Sequence, residues 1–322
     1  MRVVYMGTPR FSIPCLKALA AEPGLEVVGV FTQPDSVKRR GKKTSPSPVR
    51  AAAEELGLPV FMPEGLHGEE TIALLTELAP DIVAVASYGN ILPAEVLAVP
   101  RFGCYNVHAS LLPRWRGAAP IERAILSGDG VTGVSIMRME EGLDTGAWCM
   151  QEPVAVGDMD RDELSAVLAD IGAKLMIEAI ASIVAGTATW NAQDNTRATY
   201  AAKIEKGELH LSPESAPVEN VARVRASSAH APARAVICDR PLAVTRACIP
   251  AQLGPGAAIP APGQAVAAGK RLLLGAEGGM FEVLSVKPDG KKEMDTQSFL
   301  AGVHASLKSG DASWGPAGEV AR

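Results

Sequence analysis

Residues 103–110 read "GCYNVHAS", an apolar run that ends on a polar pair, Asn106 and His108. The alternation of side chains along a strand puts these two on the same side of the chain. In an open parallel sheet, ligands bind beyond the carboxyl ends of the strands. An amide and an imidazole aimed at one point there suit a carbonyl under attack, because both can donate to an oxygen that gains negative charge. A histidine in that role needs a partner to hold its tautomer. Asp144, between Gly142 and Gly146 in "MEEGLDTGAW" (139–148), is the candidate. The competing readings are a satisfied strand-end histidine and a turn aspartate bonded to its own backbone. No serine or cysteine is evident as nucleophile in this set, which suggests that the substrate brings its own. Cys104 reads as packed inside the strand. The stretch that follows, "SLLPRWRG" (110–117), offers leucines, a proline and a tryptophan as a wall for a flat ligand.

A second chemical signal is "KRRGKK" (38–43), inside "TQPDSVKRRGKKTSPSPV" (32–49). It leaves the same sheet edge as the candidate site. A basic loop beside an active site fits a polyanionic substrate as well as a solvated surface does. The overall charge is −5, but residues 1–189 hold 16 Lys/Arg against 23 Asp/Glu, whereas residues 190–322 hold 15 against 13. The second part is therefore mildly basic, and polyanion docking is expected there and at 38–43. "GTPRFS" (7–12) lacks the glycine spacing of nucleotide-binding fingerprints and reads as a turn that opens a helix. The five cysteines are scattered, without metal-ligand spacing, which points to reduced thiols and no metal. No apolar run approaches the ~20 residues that span a bilayer. A cytoplasmic monomer is expected, with no membrane partner.

The elements that must position these residues alternate through the first half. Strand-like runs at 2–8, 25–35, 58–63, 81–89 and 103–110 are separated by helical patterns at 13–24, 47–57 and 69–80. Apolar strands in strand–helix order are the pattern of a parallel sheet covered on both faces. Ser47, Pro48 and Gly57 provide an N-cap, a first-turn proline and a stop. A helix is expected at 118–128, antiparallel strands at 132–140 and 146–156, and a long amphipathic helix at 161–186. From residue 190 the texture changes to a polar linker, a helix at 217–226, short strands broken by Gly and Pro, and a helix at 291–303. The expected organisation is an α/β domain over 1–189 with a doubly wound, mostly parallel sheet. A linker at 190–212, a small β unit of barrel or sandwich type at 213–307 and a disordered tail at 308–322 follow.

Taken in order, "GTPRFS", "VVGVFTQPD", "RRGKK", "SYGNILP", "GCYNVHASLLPRWRGAAPI", "TGVSIMRMEEGLDTG", "TYAAKI" and "GKKEMDTQSFLAG" resemble the methionyl-tRNA formyltransferase family over most of the chain. The resemblance implies formyl transfer from 10-formyltetrahydrofolate to the α-amino group of methionyl initiator tRNA. It implies a C-terminal barrel of oligonucleotide-binding type. Asn106, His108 and Asp144 match the family's catalytic set. Ser110, Leu111, Leu112 and Pro113 match its folate-binding stretch. Arg40 matches its basic-loop arginine, with Lys42 and Lys43 beside it as further tRNA contacts. The chain departs from the family at "ASSAHAPARA" (226–235), where an aromatic usually enters the second domain. Rival readings are another amine acceptor, a hydrolase that releases formate, and a non-catalytic RNA-binding protein.

Overall fold

The computed structural model describes residues 1–37, 44–251, 259–308 and 312–318. The chain divides into two compact units. One holds Met1–Ile121, Gly130–Gly157 and Glu163–Ala202; the other holds Glu122–Asp129, Asp158–Asp162 and the chain from Lys203 onward.

The strands of the first unit are β1 (Arg2–Gly7), β2 (Glu26–Phe31), β3 (Ser36–Val37), β4 (Thr44–Ser45), β5 (Val60–Phe61), β6 (Ile82–Ala86), β7 (Cys104–His108), β8 (Arg116–Gly117), β9 (Val131–Arg138), β10 (Trp148–Ala155) and β11 (Tyr200–Ala201). The helices α1 (Ile13–Ala21), α2 (Pro48–Glu55), α3 (Glu69–Leu78) and α4 (Ala94–Leu97) fall between strands, and α5 (Pro120–Leu126) and α6 (Arg161–Val184) come later. The main sheet has the order β10-β9-β7-β6-β1-β2-β5. Its five central and edge strands from β7 to β5 run parallel, while β9 and β10 are added antiparallel. The chain winds outward in both directions from β1, so the order reverses between β1 and β6. A crevice at the carboxyl ends of the strands follows from that reversal. The buried runs of β1 and β6 are continuous, as a sheet covered on both faces requires. Ser47 caps α2 by accepting the Arg50 amide. Gly172 lets α6 approach β7 and β9, since a Cβ there would strike Val107.

The second unit contains α7 (Pro217–Ala226), β12 (Arg234–Ile237), β13 (Arg240–Cys248), β14 (Ala265–Ala268), β15 (Arg271–Ala276), β16 (Gly279–Pro288), β17 (Met294–Asp295), α8 (Thr296–Lys308) and β18 (Trp314–Pro316). Its antiparallel sheet runs β14-β15-β16-β13-β12-β18. The two ends meet through a bridge between Gln264 and Ser313, with Ala265 N donating to Ala312 O and Trp314 N to Gly263 O, both at 2.8 Å. The result is a nearly closed barrel around Leu242, Val244, Leu272, Leu274, Phe281 and Val283.

Two expectations need correction. The tail at 308–322 is ordered where it is described, over 312–318: Trp314 is 4% exposed, stands edge-on to Phe281 with 5.5 Å between ring centroids, and donates its indole N–H to Gly275 O at 2.8 Å. A tail of polar and small residues hides this, because one buried indole carries the attachment. Residues 190–202 lie on the first unit, where β11 pairs with β8. The last helix begins at Thr296 rather than 291, because Met294 and Asp295 pair with β16 first and Asp295 then accepts the Ser298 amide at 2.7 Å. At the aromatic-poor stretch, Ala226, Ala233 and Ala235 fill the core, and a cavity of about 500 Å³ opens against Ser227, Ser228, Ala229 and Pro232.

Candidate active site

The strand β7 is held by its own composition: Cys104 and Tyr105 are fully buried, and the tyrosine hydroxyl donates to Phe102 O at 2.6 Å. Burial pushes the Cys104 thiol up to about 12, so it is no nucleophile at neutral pH. Asn106 and His108 face one cavity at the strand's carboxyl end, and Asp144 comes to the same cavity from the loop after β9.

His108 is 4% exposed, and its Nε2 lies 2.8 Å from Trp115 O. A carbonyl oxygen only accepts, so Nε2 carries a proton in every state of the ring. The other nitrogen, Nδ1, is therefore the one that gains or loses a proton. It lies 3.7 Å from Asp144 Oδ2. That distance is too long for a hydrogen bond and suits an ion pair once the imidazole is protonated. The same Oδ2 accepts the Gly117 amide at 2.8 Å. Asp144 sits at φ +52°, in the left-handed region, between two glycines.

The cavity has a volume of about 430 Å³, and Val85, Ser87, Tyr88, Asn90, Ile91, Met139 and Leu143 complete its wall. Ile91 is 70% exposed and Leu143 53% exposed, so two large apolar side chains stand in water at its rim. The 87–91 segment is pinned from below: Thr8 Oγ1 donates to Tyr88 O at 3.0 Å and Gln33 Nε2 donates to the same oxygen at 3.2 Å. The "GTPRFS" turn and the "TQPD" stretch thus brace the wall. In the sequence this wall shows as the "SYGNILP" stretch (87–93) of the family resemblance, with Gly89 at φ +93°.

Ser110, Leu111, Leu112 and Pro113 are not among the residues that line this cavity. Leu111, Leu112 and Pro113 line a separate one of about 630 Å³, with Trp148 and Gln151. Ser110 is fully buried and donates to Arg114 O at 2.5 Å. The Ser135 hydroxyl donates to Ser110 O at 2.6 Å and accepts the Leu112 amide at 3.1 Å. Gln151 Nε2 reaches both Leu112 O and Ser135 Oγ, at 2.9 and 2.8 Å. The segment is thereby shaped so that Trp115 O meets His108. Arg40, Lys42 and Lys43 lie outside the described residues. Among the described residues, no group of three or more His, Cys, Asp or Glu is placed to hold a metal ion.

The formyl transferase profile matches residues 1–180, and the profile of the formyl transferase C-terminal domain matches residues 203–304. A methionyl-tRNA formyltransferase of Methylococcus capsulatus is 44% identical over 301 residues, 93% of this chain and 96% of that protein. The chain belongs to the methionyl-tRNA formyltransferase family. A second formyltransferase of that name, from Halorhodospira halophila, is 43% identical over 307 residues, covering 94% of this chain and 96% of its own length. The formyltransferase fold extends further. WlaRD, a sugar 3N-formyl transferase crystallised with dTDP and 5-N-formyl-THF, superposes with a TM-score of 0.61 at 15% identity, over 91% of this chain and 99% of that one. None of the helices among the described residues is long and apolar enough to cross a membrane.

Proposed function

We propose that the chain transfers the formyl group of 10-formyltetrahydrofolate to the α-amino group of methionyl initiator tRNA, at the cavity shared by Asn106, His108 and Asp144. The observation that carries this reading is the arrangement of the imidazole. Trp115 O fixes the proton on Nε2 and leaves Nδ1 turned toward the Asp144 carboxylate. The folate supplies an activated formyl carbon, and the substrate amine is the nucleophile. The Asn106 amide and the protonated Nδ1 of His108 donate to the carbonyl oxygen as it gains charge. Asp144 faces the ring and passes the proton lost by the amine toward the departing folate nitrogen. One C–N bond forms, one breaks, and the proton moves between the two nitrogens.

The cavity fits the donor: a flat heterocycle needs apolar walls and a few backbone partners, and Ile91 and Leu143 are exposed beside the 87–90 backbone. We assign folate contact to this wall and to the matching stretch Ser110, Leu111, Leu112 and Pro113, which also shapes the loop that orients His108. Arg40, Lys42, Lys43 and the mildly basic chain from residue 190 onward are proposed to contact the tRNA, in a cytoplasmic monomer. The test is formyl transfer to charged initiator tRNA, charged elongator methionine tRNA and free methionine across a salt series. Product on initiator tRNA alone, with affinity falling steeply as salt rises, is expected. Formate release at the same rate without tRNA would overturn the assignment.

A further inference from the structure

Arg116 is 2% exposed, yet among the described residues no carboxylate pairs with it. Burying a guanidinium is costly unless its protons find acceptors. Here two amides supply them: Nε donates to Gln193 Oε1 and Nη2 to Asn195 Oδ1, each at 2.9 Å. A guanidinium only donates, so Gln193 must turn its oxygen to Arg116. That leaves both protons of Nε2 for other partners, and they go to Asp144 O at 2.8 Å and Gly146 O at 2.7 Å. A side chain near the C-terminal end of the first unit thus ties down both sides of the Asp144 loop.

The loop needs such a tie. Asp144 occupies the left-handed region, which is unfavourable for a non-glycine residue. Gly146 cannot yield space, because a Cβ there would strike Arg138 O. The residue after Arg116 is Gly117, whose amide holds the Asp144 carboxylate. One two-residue strand therefore fixes Asp144 twice: directly through the Gly117 amide, and through Gln193 by the guanidinium.

We infer that Gln193, oriented by the buried Arg116 guanidinium, is a positioning residue that holds the Asp144 carboxylate against His108 during formyl transfer. The inference rests on the catalytic role proposed for Asp144. A plain staple would serve stability only, and Gln193→Glu separates the two. Glutamate keeps and strengthens the pairing with Arg116, so the fold is retained, but it has no protons to give the carbonyls of Asp144 and Gly146.

The experiment is a double-mutant cycle on the full chain, with Gln193→Glu and Asp144→Asn, read by single-turnover formyl transfer and by thermal melting. Gln193→Glu is expected to remain folded at the assay temperature, with the pairing to Arg116 offsetting part of the cost of the two stranded carbonyls, and to lose about 10- to 100-fold in rate, the scale of a misplacement near 1 Å. Its KM for the folate donor should stay within about threefold. In the Asp144→Asn background the same change should add less than about threefold, as expected of two groups acting as one unit. Equal losses in both backgrounds, or a Gln193→Glu rate within about threefold of wild type while Asp144→Asn alone is crippled, would overturn the positioning role. An unimpaired Asp144→Asn would remove the catalytic reading of Asp144 and this inference with it. If Gln193→Glu does not fold, Gln193→Met, which keeps the volume and neither donates nor accepts in that way, carries the same cycle.

Discussion

Ser135→Ala is the sharpest test of how the site is built. The hydroxyl is fully buried on β9, directly opposite His108 in the register of β7 and β9. It holds Ser110 O and the Leu112 amide at once. Alanine strands both backbone groups, and each buried group without a partner costs about 1–3 kcal/mol. Gln151 keeps its bond to Leu112 O, so the expected loss is about 2–5 kcal/mol. For a unit of this size that lowers the melting temperature by roughly 5–15 °C. The assay is a thermal melt followed by circular dichroism and by tryptophan fluorescence. Thr132→Val is the control on the same strand: the Thr132 hydroxyl is buried and, among the described residues, has no hydrogen-bond partner, so its removal should cost nothing. Rate measured well below the transition should also fall about tenfold for Ser135→Ala, because Trp115 lies only three residues beyond Leu112 and its carbonyl orients His108. A melting temperature within about 1 °C of wild type would refute the reasoning.

Further outcomes follow from the same coordinates. Trp314→Ala should destabilise the barrel by about 3–5 kcal/mol, seen as an early transition in urea while the first unit unfolds as before. Asn106→Ala should lower the rate of formyl transfer by about 100- to 1,000-fold with little change in melting temperature, and a rate within about threefold of wild type would remove it from the catalytic set. Burial pushes the Cys15 and Cys104 thiols up to about 12 and the Cys149 thiol up to about 11, from an ordinary 9.0. Above pH 9 the unfolded thiols lose protons that the native ones keep, so stability must fall as pH rises. The slope approaches about 1.4 kcal/mol per pH unit for each thiol, and urea midpoints between pH 8 and 11 should fall less steeply for Cys104→Ala than for wild type.

Much of the frame is legible because it depends on local pattern. The capping of α2 by Ser47, the apolar runs of β1 and β6, and the pairing of Asn106 with His108 on one strand face all come from spacing within a few residues. What escapes is set by contacts between distant segments. Nothing around Trp314 announces that its indole plugs the barrel, since the residues beside it are small and polar. Nothing around Gln193 announces Asp144, 49 residues earlier. Arg116 is not singled out by its sequence surroundings, and only the fold shows it buried between two amides. Ser110 to Pro113 follow His108 in sequence, yet the loop reverses and turns Leu111, Leu112 and Pro113 to a different cavity. The cavity wall at residues 87–91 is braced by Thr8 and Gln33, contacts across 80 and 55 residues that no local pattern marks.

The central claim is that His108 acts as a reagent through Nδ1. Single-turnover transfer from 10-formyltetrahydrofolate to charged initiator tRNA, compared for wild type and His108→Ala with tRNA binding measured alongside, tests it most directly. A loss of about 1,000-fold or more in rate with tRNA affinity unchanged is the predicted result. Transfer by His108→Ala within about threefold of wild type would leave the imidazole a strand-end structural group and contradict the account.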